Sequence, residues 1–80
     1  MNKPVKHKQY QYEFGRNLYK CRKKKGLTQE SLGEHMGVSR TYINQLERGR
    51  GNPTLQVVMK LADVLNIDAA FLVFGIRYKD

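Results

Sequence analysis

The twenty residues QESLGEHMGVSRTYINQLER, positions 29–48, constrain the fold more than any other part of this chain. Leu32 and Met36 lie four residues apart, the spacing that puts two apolar side chains on one side of a helix. Thr28 is an N-cap residue for that helix, Glu30 places an anion in its first turn, and Gly37 stops it. Ser39 is a second cap only two residues later, and the helix it opens turns Ile43 and Leu46 inward and closes at Gly49. With so short a turn between them, the two helices must cross steeply. Such a crossing needs a small residue at the contact, a positive φ in the turn and an apolar cluster to hold the angle. Gly33, Gly37 and the set Leu32, Met36, Val38, Ile43 and Leu46 meet those needs.

The flanking segments supply the rest of one core. From about residue 11 the apolar spacing turns helical, with Phe14, Leu18 and Cys21 on one face and Gly26 as the stop. Arg22, Lys23, Lys24 and Lys25 fill that helix's last turn, where cations complement the dipole. Residues 50–53 form a turn by composition. Thr54 then caps a fourth helix with a predicted buried stripe of Leu55, Val58, Leu61, Ala62 and Leu65. Asp68 caps a short fifth helix through Ala69, Leu72 and Val73, ending at Gly75. No strand of useful length precedes the last few residues. The expected fold class is therefore all-α: five short helices around one core in a single 80-residue domain. Residues 1–10 read as a flexible basic arm, 11–75 as the domain carrying the 29–48 motif, and 76–80 as a C-terminal tail.

The second helix of the motif has one side to spare. At about 100° per residue, Ile43, Leu46 and Glu47 point inward while Thr41, Asn44, Gln45 and Arg48 point outward, with Arg40 beside them. Arginine suits guanine, asparagine and glutamine suit adenine, and threonine suits the thymine methyl, so this face has the chemistry to read base edges. A merely solvated face would hold more Lys and Glu. Charge adds a weaker argument: the net +8 of the chain resides wholly in residues 1–25, nine basic residues against Glu13, while residues 26–80 balance six against six. The basic run Lys20–Lys25 reads first as dipole compensation and solubility. The arm residues Lys3, Lys6, His7 and Lys8 would follow a nucleic-acid backbone, enter a minor groove or remain disordered.

From Phe14 to Gly75 the sequence resembles the Xre family of helix-turn-helix transcriptional regulators, which includes the lambda-repressor-like and Cro-like DNA-binding domains. The resemblance rests on Arg22, Gly26-Leu27-Thr28-Gln29, Leu32, Gly37-Val38-Ser39, Ile43, Leu46-Glu47-Arg48-Gly49, Asn52-Pro53-Thr54-Leu55, Leu61-Ala62, Leu65 and Leu72. It implies base contacts from Arg40, Thr41, Asn44 and Gln45. It implies contacts to the DNA backbone from Gln29, Ser39, Tyr42, Arg48, Arg50 and Asn52, Tyr42 packing on the first or second helix being the alternative. It also implies a structural ion pair between Arg22 and Glu47. Gly33 stands where the family prefers alanine, a difference of up to about 1 kcal/mol in helix propensity.

Phe71, Val73, Phe74 and Ile76 make the C-terminal end unusually apolar, and they are expected to form a two-fold dimer contact, with fraying beyond Leu72 as the plainer reading. The expected partner is a double-stranded DNA operator met by a homodimer, the protein acting as a sequence-specific regulator, more often a repressor. A restriction–modification controller, an antitoxin-like autoregulator and a protein-bridging coactivator module are the alternatives. No enzyme is indicated: the sequence shows no nucleophile–base pair, no paired acids in a plausible cleft and no Gly-rich phosphate loop. His7 and His35 lack metal partners, and Cys21 is the single cysteine, so neither a metal, a disulfide nor a cofactor is expected, nor a small-molecule effector. With no secretory h-region and no long apolar run, a cytoplasmic location is expected.

Overall fold

The computed structural model describes residues 7–75, which form five α-helices and no strand. They are α1 (His7–Lys25), α2 (Gln29–Met36), α3 (Arg40–Glu47), α4 (Leu55–Leu65) and α5 (Ala69–Phe74). All five meet in one core. Leu18 of α1, Leu32 of α2, Ile43 and Leu46 of α3, Leu61 of α4 and Leu72 of α5 are its fully buried members. Each such side chain stabilises the fold by about 1.5–3 kcal/mol relative to exposure. Because every helix contributes, none is dispensable.

Local chemistry sets the helix starts. Thr28, Ser39 and Thr54 each hold extended backbone, and each side-chain oxygen accepts from the backbone N–H three residues on, at 2.9, 3.0 and 3.2 Å. Each cap satisfies one of the four N–H groups that a helix start leaves unpaired. Asp68 occupies the N-cap position of α5 but makes no side-chain cap hydrogen bond. Gly37 ends α2 in the left-handed region at φ 73°, and α3 begins three residues later. At the other end of α2, Lys60 of α4 donates to the Met36 carbonyl at 3.2 Å, a cation at a helix C-terminus. Asn17 of α1 donates to the Leu72 carbonyl of α5 at 3.0 Å and ties the two ends of the domain together.

Two expectations change. α1 begins at His7 and not near residue 11, so residues 7–10 of the expected arm are helical, while residues 1–6 lie outside the described residues. Lys8, Gln9 and Tyr10 are exposed there, so no apolar spacing marks this turn; the helix continues past the core, with Gln9 bonded to Glu13 one turn on. Leu55 is not in the buried stripe of α4: it is 77% exposed, at the first position of the helix, before the turn that reaches the core. Val58, Leu61, Ala62 and Leu65 are buried as a stripe. At the C-terminal end, Phe71 and Val73 pack half-buried against the core, Phe74 is exposed, and Ile76 lies outside the described residues. No helix among the described residues is long and apolar enough to cross a membrane.

Candidate nucleic-acid interface

The outward side of α3 follows from which of its side chains the core takes. Ile43 and Leu46 are consumed, and the Glu47 side chain is 4% exposed. Thr41, Gln45, Arg40 and Arg48 are left exposed, with Asn44 half-buried at their edge. Tyr42 is half-buried and packs against the core. Arg50 and Asn52 are exposed in the loop after α3. The Ser39 hydroxyl oxygen accepts the capping bond from Tyr42, which leaves its own hydrogen to donate. Arg40, Thr28 and Gln29, together with Lys23, line an open cleft of about 460 Å³ where α1, α2 and α3 converge.

Beneath this face runs a chain of polar contacts. The Arg22 guanidinium grips both oxygens of Glu47, Nε to Oε2 at 2.5 Å and Nη2 to Oε1 at 3.0 Å, and its Nη1 donates to the Leu27 carbonyl at 2.7 Å. Both side chains are buried, at 7% and 4% exposure. The hydrogen bond that Arg22 donates to Glu47 raises the Arg22 pKa above its ordinary value, against the opposing effect of burial. The Tyr19 ring covers the guanidinium from 5.4 Å. Gln29 joins the pair: its Nε2 donates to Glu47 Oε1 at 3.0 Å, and its Oε1 accepts from Asn44 Nδ2 at 3.3 Å. The structure thus brings together α1, α2 and α3 through four side chains, one of which belongs to the outward face.

Two glycines permit the close crossings that hold α3 in place. A Cβ at Gly33 would stand 2.7 Å from the Val38 carbonyl oxygen, so α2 crosses the turn at backbone distance. An alanine Cβ does not fit this spacing, so the helix propensity of alanine is opposed by a backbone clash. Gly15 of α1, which the sequence reading did not single out, is tighter: a Cβ there would meet Leu46 O at 2.4 Å and Glu47 O at 2.7 Å. The available signal was a glycine between Phe14 and Leu18, inside a helical pattern, which marks a close approach of backbones. The same side of α1 also reaches the loop after α3. Tyr12 packs on Gly49, and Gln11 donates to the side chain of Asn52, one of the expected backbone contacts.

Two short capped helices crossing at a glycine, with one face of the second exposed and rich in base-reading groups, define a helix-turn-helix domain that binds double-stranded DNA. The helix-turn-helix family model HTH_3 matches residues 18–72, so the chain belongs to that family of transcriptional regulators. Among its relatives is the HTH-type transcriptional regulator y4dJ of Sinorhizobium fredii, 42% identical over 59 residues, covering 74% of this chain and 77% of that protein. The structure is similar to the restriction-modification controller protein C.AhdI of Aeromonas hydrophila, with a TM-score of 0.80 and 37% identity over 85% of this chain and 99% of that one. It is also similar to the P22 c2 repressor in complex with a synthetic operator, with a TM-score of 0.74 and 30% identity over 79% of this chain and 96% of the other.

Proposed function

We infer that this regulator acts as a repressor, two copies occupying a palindromic operator and each reading one half-site with α3. The observation that carries the reading is the composition of the exposed α3 face: two arginines, a threonine, a glutamine and an asparagine, with no acidic side chain pointing outward. Arg40, Thr41, Asn44 and Gln45 are the base readers. Gln29, Ser39, Arg48, Arg50 and Asn52 flank them at the helix starts and in the loop, and are the phosphate contacts that set the register of the docking. Tyr42, which is only partly buried, adds a contact from its hydroxyl. The operator-bound P22 c2 repressor supports occupancy of an operator as the mode of action. The likeness to a restriction-modification controller protein supports a regulatory role.

The exposed Phe74 at the end of α5, beside half-buried Phe71 and Val73, is the apolar surface through which two copies pair. Selection of bound sites from random duplex DNA tests the whole reading. The expected result is a palindrome whose half-sites lie about one helical turn, 10–10.5 bp, apart. A single non-repeated site, together with a monomer in sedimentation, would remove the dimer. Affinity that drops with salt by about 10³–10⁵ between 50 and 200 mM, yet keeps its sequence preference, is expected of a reader making several phosphate contacts.

A further inference from the structure

We propose that the buried Arg22–Glu47 pair, acting through Gln29, fixes which end of the Asn44 amide faces the DNA, and so sets base choice at a position that neither Arg22 nor Glu47 touches. The proposal rests on the reading of α3 as the base-reading helix. A carboxylate has no hydrogen to give. Glu47 Oε1 already accepts from Arg22 Nη2, and the Gln29 group beside it at 3.0 Å must therefore be the NH2. Gln29 is then left with Oε1 toward Asn44, and oxygen against oxygen would repel. Asn44 must answer with its own NH2, as it does at 3.3 Å. Its Oδ1 and one N–H remain for a ligand.

Each step is forced by the one before, so polarity passes from the ion pair to the DNA face in two hydrogen bonds. An amide that offers an acceptor and one donor matches the major-groove edge of adenine, which shows an N6 donor beside the N7 acceptor. Guanine and thymine show only acceptors there among their hydrogen-bonding groups. Arg22, Glu47 and Gln29 are thus positioning residues for Asn44. The burial of the Arg22–Glu47 pair keeps water from substituting for either member of it.

Glu47→Gln removes the constraint at its source. Its amide has one oxygen and one NH2, while Arg22 offers a donor at both carboxylate positions, Nε at Oε2 and Nη2 at Oε1, so the NH2 opposes an Arg22 donor in either orientation. When the NH2 takes the Oε1 place, Gln29 turns its oxygen to meet it and shows NH2 to Asn44, which turns in response and presents both N–H groups outward. The polarity at Asn44 is then no longer dictated, and adenine loses part of its advantage.

The test is competition binding by the full chain against a set of duplexes that carry each of the four base pairs at each position of the selected site. Ratios between duplexes are unaffected by a smaller folded fraction, which lowers all affinities together. Asn44→Ala identifies the position that Asn44 reads. At that position the unaltered protein is expected to prefer adenine by about tenfold or more. Glu47→Gln should reduce that preference and leave the other positions unchanged. Gln29→Ala, which spares the ion pair, should bring it within about threefold. In the Asn44→Ala background neither change should alter that position further. If Asn44→Ala relaxes one position but both relay variants keep its adenine preference, the relay is refuted and the base-reading face stands. If the unaltered protein shows no sequence preference at all, the reading of the face fails and the relay with it.

Discussion

Replacing Gly15 by alanine adds one methyl group where α1 crosses the end of α3. Two effects oppose each other. Alanine inside a helix is favoured over glycine by about 1 kcal/mol, which alone would stabilise the protein. The new Cβ, however, would lie 2.4 Å from Leu46 O, 2.7 Å from Glu47 O and 2.9 Å from the Glu47 carbonyl carbon. Ordinary contact at such a position begins near 3.4 Å, so α1 must retreat by about 1 Å from atoms that are all backbone and cannot rotate aside. Overpacking of this kind costs about 1–3 kcal/mol, and the upper part of that range applies where no side chain can yield. The retreat would also stretch the Arg22–Glu47 contacts, which span the same two helices. A net loss of about 1–2 kcal/mol follows, or roughly 5–15 °C in Tm for a domain of this size. Thermal and urea melting of Gly15→Ala beside Lys20→Ala, an exposed change on the same helix expected within about 0.5 kcal/mol of the parent, would measure it. A Tm for Gly15→Ala above that of the parent would refute the close crossing.

Gly33→Ala is expected to destabilise by about 1 kcal/mol or more in the same melts, because the Val38 carbonyl stands 2.7 Å from the new Cβ; propensity alone predicts a gain of that size. Leu55→Gln should leave the Tm within about 2 °C of the parent, since the side chain is exposed, while Leu61→Ala should cost about 2–5 kcal/mol. Arg40→Ala and Gln45→Ala should each weaken binding to the selected site by about 1–3 kcal/mol and relax preference at one position, with melting unchanged. Glu47→Ala should lower stability by about 3–5 kcal/mol, because it leaves the Arg22 guanidinium buried without its carboxylate.

Much of this architecture is legible along the chain because it is locally encoded. Thr28, Ser39 and Thr54 cap their helices through a bond only three residues long, and Gly37 turns the chain by its own conformational freedom. The inward sides of α2, α3 and α4 follow from a 3.6-residue period in residues such as Leu32, Ile43 and Leu61. Leu55 shows the limit of that period. It has the right residue type at a spacing that fits, but the core does not extend to the first position of α4, a fact about neighbours and not about sequence. The first turn of α1 was hidden for the opposite reason: a helix that leaves the core needs no apolar residue to announce it. Gly15 and the Gln29–Asn44 bond depend on distances between helices, and single-sequence periodicity contains none of these. At Phe71 and Val73 the sequence offers apolar side chains without saying whether the domain or a second copy buries them; the domain takes a share of both.

The joining of α3 to the core has a consequence for how the protein persists. α2 and α3 have eight residues each, well short of the roughly 12–15 at which an isolated helix becomes even marginally stable in water. Ile43 and Leu46 hold the reading helix through the same contacts that hold the domain, so this helix cannot melt while the rest stays folded. Binding energy spent on the face is then shared by every residue of the core. At a free operator concentration a hundred times Kd, the whole fold gains about 2.7 kcal/mol against unfolding. DNA is thus a folding ligand for this chain, and copies off their site are the ones most open to proteolysis.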